Sequence, residues 1–137
     1  MQTRVRAIIT KNHAVLLIRR VKADRTYWVF PGGGVEDHDE SLQAALIREC
    51  KEELGVAVRV GRLFAERSLT PPGGVEQKEL FFECEVTSGT IGTGTGPEFS
   101  RDSSVSGTYH IEWVPSASVS FKNIFPEEVR DKLASAL

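Results

Sequence analysis

FPGGGVEDHDESLQAALIRECKEELGV, running from Phe30 to Val56, holds the most telling pattern in the chain. A glycine-rich turn leads into a short acidic loop. A helical segment follows, carrying Arg48, Glu49, Glu52 and Glu53 and ending at Gly55. At about 100° per residue, with Glu49 as zero, Glu53 falls at about +40° and Glu52 at about −60°, so the three acids share one arc. Leu46, Cys50, Leu54 and Ile47 fall between about +60° and +160°, an apolar stripe beside the acidic one. The pattern predicts a helix over Ser41–Leu54 that buries its Leu46/Cys50/Leu54 side and carries the carboxylates at the edge of that face. Ser41 suits the N-cap, and Gly55 suits the left-handed residue just past the C-terminus.

This charge placement is unfavourable for a plain helix. Glu49/Glu53 and Glu49/Glu52 are like-charge pairs at i,i+4 and i,i+3, and acids near a helix C-terminus oppose its dipole. In a partly sheltered site, two carboxylates ~6 Å apart repel by roughly 3 kcal/mol at an effective dielectric of about 20. Arg48 alone does not offset that, whereas a divalent cation does. Most Glu- and Lys-rich helical runs are nevertheless solvated faces, so the acids alone do not decide.

The spacing does. Gly34, five residues, Glu40, seven residues, Arg48-Glu49-Cys50, one residue, Glu52-Glu53, one residue and Gly55-Val56 resembles the signature box of the Nudix hydrolases, the MutT-like pyrophosphohydrolases. The one departure is Cys50, where that family usually has Leu, Ile or Val; cysteine behaves as a small buried hydrophobe. The resemblance implies an α/β fold, the Nudix α/β/α sandwich with a curved mixed sheet between two main helices. It implies Mg²⁺-dependent hydrolysis, with Mn²⁺ as an alternative, of a diphosphate linkage in a nucleoside diphosphate derivative by water attacking phosphorus. Nucleoside di- and triphosphates, nucleotide sugars, ADP-ribose and dinucleoside polyphosphates all stay open as substrates. The chemistry suits the residue types. A diphosphate repels an incoming water, and a hard cation held by carboxylates neutralises that charge, orients the phosphoryl group and acidifies a bound water.

By the same resemblance, Glu52 and Glu53 are metal ligands and Glu49 is a ligand or the general base. Arg48 orients Glu49, and the backbone carbonyl of Gly33 or Gly34 joins the metal shell. Gly34, Glu40 and Gly55 are structural positions, with Glu40 bracing the loop and Arg48. Family members often supply a further acid from a late loop, which makes Glu98, and behind it Asp102, candidates. The strand and loop before the box often help form the substrate pocket, which makes Arg19, Arg25 and Trp28 candidate substrate-binding residues. Family members are frequently homodimers. A rival reading is a non-catalytic nucleotide-binding or regulatory module of the same fold. Such modules usually lose box carboxylates, and this chain keeps all of them. A second rival is a structural domain whose acidic helix binds a basic partner.

At 137 residues the chain fits one domain, 1–137, with a real core. A net charge of −2 and a pI near 5.9 argue against a nucleic-acid-polymer or membrane-surface binder. Cys50 and Cys84 make neither a disulfide framework nor a zinc spacing, and they read as reduced, buried thiols. With no secretory leader pattern and no membrane-length apolar run, the sequence predicts a cytoplasmic protein.

Along the chain, Arg4–Thr10 and His13–Arg19 read as strands around a Lys11-Asn12 turn, and Tyr27–Phe30 as another. Ala57–Leu63 and Phe64–Leu69 read as two strand-like segments, and Pro71–Gly74 as a turn before the strand Gln77–Val86. Ser88–Ser106 reads as a long loop and Tyr109–Val114 as a strand. A final helix is expected over Pro126–Ala136, with Pro126 at N1 and Val129, Leu133 and Leu137 facing the core.

Overall fold

The computed structural model describes residues 1–94 and 108–137; Glu98 and Asp102 lie outside the described residues. The strands are β1 (Gln2–Lys11), β2 (Ala14–Lys22), β3 (Arg25–Val29), β4 (Gly32–Gly34), β5 (Val56–Leu69), β6 (Gln77–Gly89), β7 (Thr108–Pro115) and β8 (Ile124–Phe125). The helices are α1 (Leu42–Leu54) and α2 (Glu127–Ala136), and a 3₁₀ turn spans Ser116–Phe121. The sheet order is β5-β6-β1-β2-β3-β8, with β4 also on β1 and β7 also on β2. Most of β1 runs parallel to β6 and antiparallel to β4, and only its last residues pair with β2, at Thr10↔Val15 and Lys11↔Ala14. β1 therefore joins two wings of one curved mixed sheet.

Period-2 alternation assigns the two faces of that sheet to the two helices. Val5, Ala7, Ile9, Leu16, Leu80 and Phe82 pack with Ala45, Leu46, Cys50 and Leu54 of α1. Their sequence neighbours Ile8, Val15, Leu17 and Phe81 pack the other way, with Phe30 and with Val129 and Leu133 of α2. The result is the helix–sheet–helix sandwich expected from the sequence.

Several details differ from the expectation. Val56–Leu69 is one strand, not two: shifts of register around Gly61 to Phe64 let it bend without breaking its ladder to β6. The three glycines 32–34 form a strand that composition disguises. Pro126 is the N-cap of α2 rather than its first turn, and Leu137 is exposed. Ile47, at the outer limit of the apolar stripe, is also exposed. The buried arc of α1 runs instead from Ala45, at about −40°, to Leu54, at about +140°. Glu53 thus lies inside the buried face rather than at its edge.

Candidate active site

Helix α1 is set by its ends. Ser41 accepts a bond from the Ala44 N–H at 3.0 Å, and Gly55, at φ 80°, closes the C-terminus by donating to Lys51. Beyond β6 the chain folds back over this end, where the Gly92 N–H donates to the Leu54 carbonyl at 2.9 Å. These bonds fix where α1 starts and stops, while the packing of Ala45, Leu46, Cys50 and Leu54 on the sheet sets its rotation and with it the direction of three carboxylates.

Glu53, only 7 % exposed, accepts a bond from the Gly32 N–H at 2.9 Å. Glu49 meets the next residue of the same strand. A Cβ on Gly33 would stand 2.7 Å from the Glu49 carboxylate, so only glycine lets this backbone come so close. Glu52 lies at the rim with its side chain 44 % exposed. The glycine strand β4 thus brings main chain against two acids of α1, and the third stands open to solvent.

Arg48 organises the acids. It donates from Nη1 to Glu49 at 3.1 Å and to Glu52 at 3.4 Å, and from Nη2 to the Gly34 carbonyl at 3.1 Å. Its strongest partner is Asp39, which accepts from Nε at 3.0 Å and Nη2 at 2.9 Å. These bonds, with a further one from the Glu36 N–H, hold the Asp39 carboxyl down at about 2, and they raise the Arg48 guanidinium above its usual value. Asp39 thus braces Arg48 here, while Glu40, the residue expected in that role, is exposed. The reason is local: Asp39 closes a tight turn with Glu36 through two bonds, 2.8 and 3.0 Å, and this aims its carboxylate at α1.

A second layer of charge was not legible as a site. Arg6 donates to Glu79 at 2.9 Å and to the carbonyls of Phe30 and Gly32 at 3.3 and 3.1 Å. Arg4 is pushed below its usual value by burial and then by Arg6, against the pull of Glu79, Glu49 and Glu53. The signals in the sequence were two arginines alternating with Val5 and Ala7, and an acid opening the apolar run Leu80-Phe81-Phe82. Beside this layer lies a cavity of about 430 Å³, walled by Arg6, Phe30, Arg67, Glu79, Phe81 and Phe125.

Arg19, Arg25 and Trp28 stand apart from that cavity wall. Arg19 Nε lies 3.7 Å from Glu112, Arg25 sits over the Tyr27 ring, and Trp28 packs on the α2 side with Lys122 above it. Cys50 points into the core beneath the acids, and burial pushes its thiol up; the Cys84 thiol is pushed up to about 12 by the same cause.

The donor chemistry here is carboxylate and backbone oxygen, with the thiol turned away, and it suits a hard divalent cation. Among the described residues, no three His, Cys, Asp or Glu side chains are gathered into a ready ligand cluster. In this arrangement Arg48 serves as the counter-ion of Glu49 and Glu52. The Glu52 contact is long and exposed, so little holds that carboxylate to Arg48.

A family model described as the NUDIX domain matches residues 1–132. CTP pyrophosphohydrolase of Escherichia coli (strain K12) is 40 % identical over 73 residues, covering 52 % of this chain and 53 % of that protein, so the match spans about half the relative's length. The solution structure of the E. coli ORF135 protein superposes with a TM-score of 0.69 at 26 % identity, over 99 % of this chain and 89 % of that one. A MutT NUDIX hydrolase from Burkholderia pseudomallei gives a TM-score of 0.70 at 20 % identity, over 99 % and 98 % of the two chains, a likeness of fold.

Proposed function

The chain belongs to the NUDIX domain family, and from that premise we propose that it hydrolyses a pyrophosphate bond in a small nucleoside polyphosphate with the help of Mg²⁺ or Mn²⁺. The observation that carries this reading is the convergence of Glu49 and Glu53 on the glycine strand, with Arg48 fastened between Glu49 and Asp39. Glu49, Glu52 and Glu53 would hold the cation, with the Gly33 carbonyl as a backbone donor. When bound, the cation supplies charge neutralisation and an acidified water.

The residues of the chain divide the remaining work. Arg48 keeps Glu49 turned, ready to ligate or to accept a proton. The Gly32 N–H fixes one oxygen of Glu53. The neighbouring cavity, with aromatic walls at Phe30, Phe81 and Phe125 and charged groups at Arg6, Arg67 and Glu79, suits a nucleoside moiety. The name of the E. coli relative makes CTP the first substrate to try, followed by other nucleoside triphosphates, ADP-ribose and nucleotide sugars.

The test is a panel of these compounds with Mg²⁺ or Mn²⁺, reading released phosphate or pyrophosphate. Turnover of at least one compound that EDTA abolishes is expected. Nucleotide binding without any turnover across the panel would overturn hydrolysis in favour of a non-catalytic binding module.

A further inference from the structure

We propose that Arg6, clamped by Glu79, is the positioning residue for Glu53. This role rests on the reading of Glu53 as a cation ligand. The path is continuous. Arg6 Nε donates to Glu79 at 2.9 Å, while its Nη1 reaches the carbonyls of Phe30 and Gly32 at 3.3 and 3.1 Å. Those two carbonyls flank Pro31, so one guanidinium pins both sides of the turn that enters the glycine strand. From that turn the Gly32 N–H donates to Glu53 at 2.9 Å in a buried setting. The bond that sets Glu53 is thus as well placed as Arg6 holds the turn.

Three features make this a positioning device rather than ordinary packing. Gly32 has φ +142° and lies flush on β1; a Cβ there would meet the Val5 carbonyl at 2.0 Å. No side chain of its own can therefore anchor the turn; the Ala7 N–H holds the Pro31 carbonyl at 2.8 Å, and the Arg6 guanidinium holds the carbonyls on either side of it. A guanidinium supplies a rigid planar fork that serves a carboxylate and two carbonyls in fixed directions, whereas the three donors of a lysine turn freely about one nitrogen on a flexible stem. Glu79, itself only 9 % exposed, holds the fork in plane, and it is backed by Arg67, whose Nε lies 3.4 Å from its other oxygen and whose Nη1 bonds Glu128 at 2.8 Å. A buried ion pair contributes little net stability over an apolar replacement. What this pair adds is direction. Both partners also wall the cavity beside the box, so an occupant there would touch the groups that set Glu53.

The test uses the whole chain, wild type, Arg6→Lys and Glu79→Gln, with three readouts: thermal melting, exchange of the Gly32 amide proton by NMR without metal, and Mn²⁺ binding by titration calorimetry. A folded Arg6→Lys should exchange its Gly32 amide about tenfold faster or more, with ladder amides such as that of Phe82 unchanged. Its Mn²⁺ dissociation constant should rise about tenfold or more, as for loss of a group that orients a ligand. Glu79→Gln should move both readouts in the same direction by less. Unchanged Gly32 exchange, or faster exchange with unchanged Mn²⁺ affinity, overturns the proposal. So does loss of the cooperative melt in both variants, which would make the pair a folding element. If the wild type binds no Mn²⁺, the cation reading fails separately, and Gly32 exchange still decides whether Arg6 holds the turn.

Discussion

Two adjacent glycines separate the fold from the site. Replacing Gly33 by alanine puts a Cβ 2.7 Å from the Glu49 carboxylate, where ordinary contact begins near 3.4 Å, so the carboxylate must retreat by about 0.7 Å. The obstacle is the end of a flexible side chain, and Gly33 is not among the glycines with positive φ, so the backbone has no need to move. The cost to stability should stay within about 1 kcal/mol. The cost to catalysis should be large, since misplacement by about 1 Å in an active site costs on the order of 10²-fold. Gly33→Ala should therefore lose roughly 10- to 100-fold in kcat while melting close to wild type. Gly32→Ala is the opposite case. Its Cβ would meet backbone, the Val5 carbonyl at 2.0 Å, at a φ of +142° that favours glycine. Strain there of about 3 kcal/mol or more should lower Tm by roughly 10 °C. The assays are a thermal melt and metal-dependent turnover of the best substrate. Wild-type turnover in Gly33→Ala, or equal loss of Tm in both variants, would refute the account of how β4 meets α1.

Glu53→Gln keeps an oxygen that can accept the Gly32 N–H, so the variant should melt like wild type; metal-dependent turnover should fall about 10²-fold or more, and retained turnover would remove Glu53 from the site. The Asp39–Arg48 pair gives a pH signature. The folded Asp39 pKa, about 2, lies below its ordinary 3.8, so its contribution is fully present above about pH 4 and is lost as pH falls toward about 2. Asp39→Asn should be less stable at pH 7 and should show a flatter fall of Tm over that window, whereas Glu40→Gln should match wild type in both. Matching acid profiles for Asp39→Asn and wild type would refute the brace.

Much of the fold could be read locally. Ser41 and Gly55 announce the ends of α1, and the unbroken apolar runs Val15–Ile18 and Leu80–Phe82 announce strands buried on both faces. What could not be read depends on partners far away in sequence. Arg6 and Glu79 are 73 residues apart, and each alone reads as a surface charge on a strand. Gly32–Gly34 looks like a loop until β1 pairs with it. The rotation of α1, which buries Glu53 and exposes Ile47, is decided by the sheet it lies on rather than by its own stripe. The bond from Asp39 to Arg48 was hidden because a tight turn with Glu36, not the spacing to Arg48, aims that carboxylate.

If the proposed function holds, Glu49, Glu52 and Glu53 grip a cation that in turn grips a diphosphate. A crystal of the protein with Mn²⁺ and a non-hydrolysable nucleoside triphosphate tests it directly, through the anomalous signal of the metal. A peak is expected roughly 2 Å from oxygens of these carboxylates and of the phosphates. Bound nucleotide with no metal at these side chains, or metal held elsewhere, would contradict it.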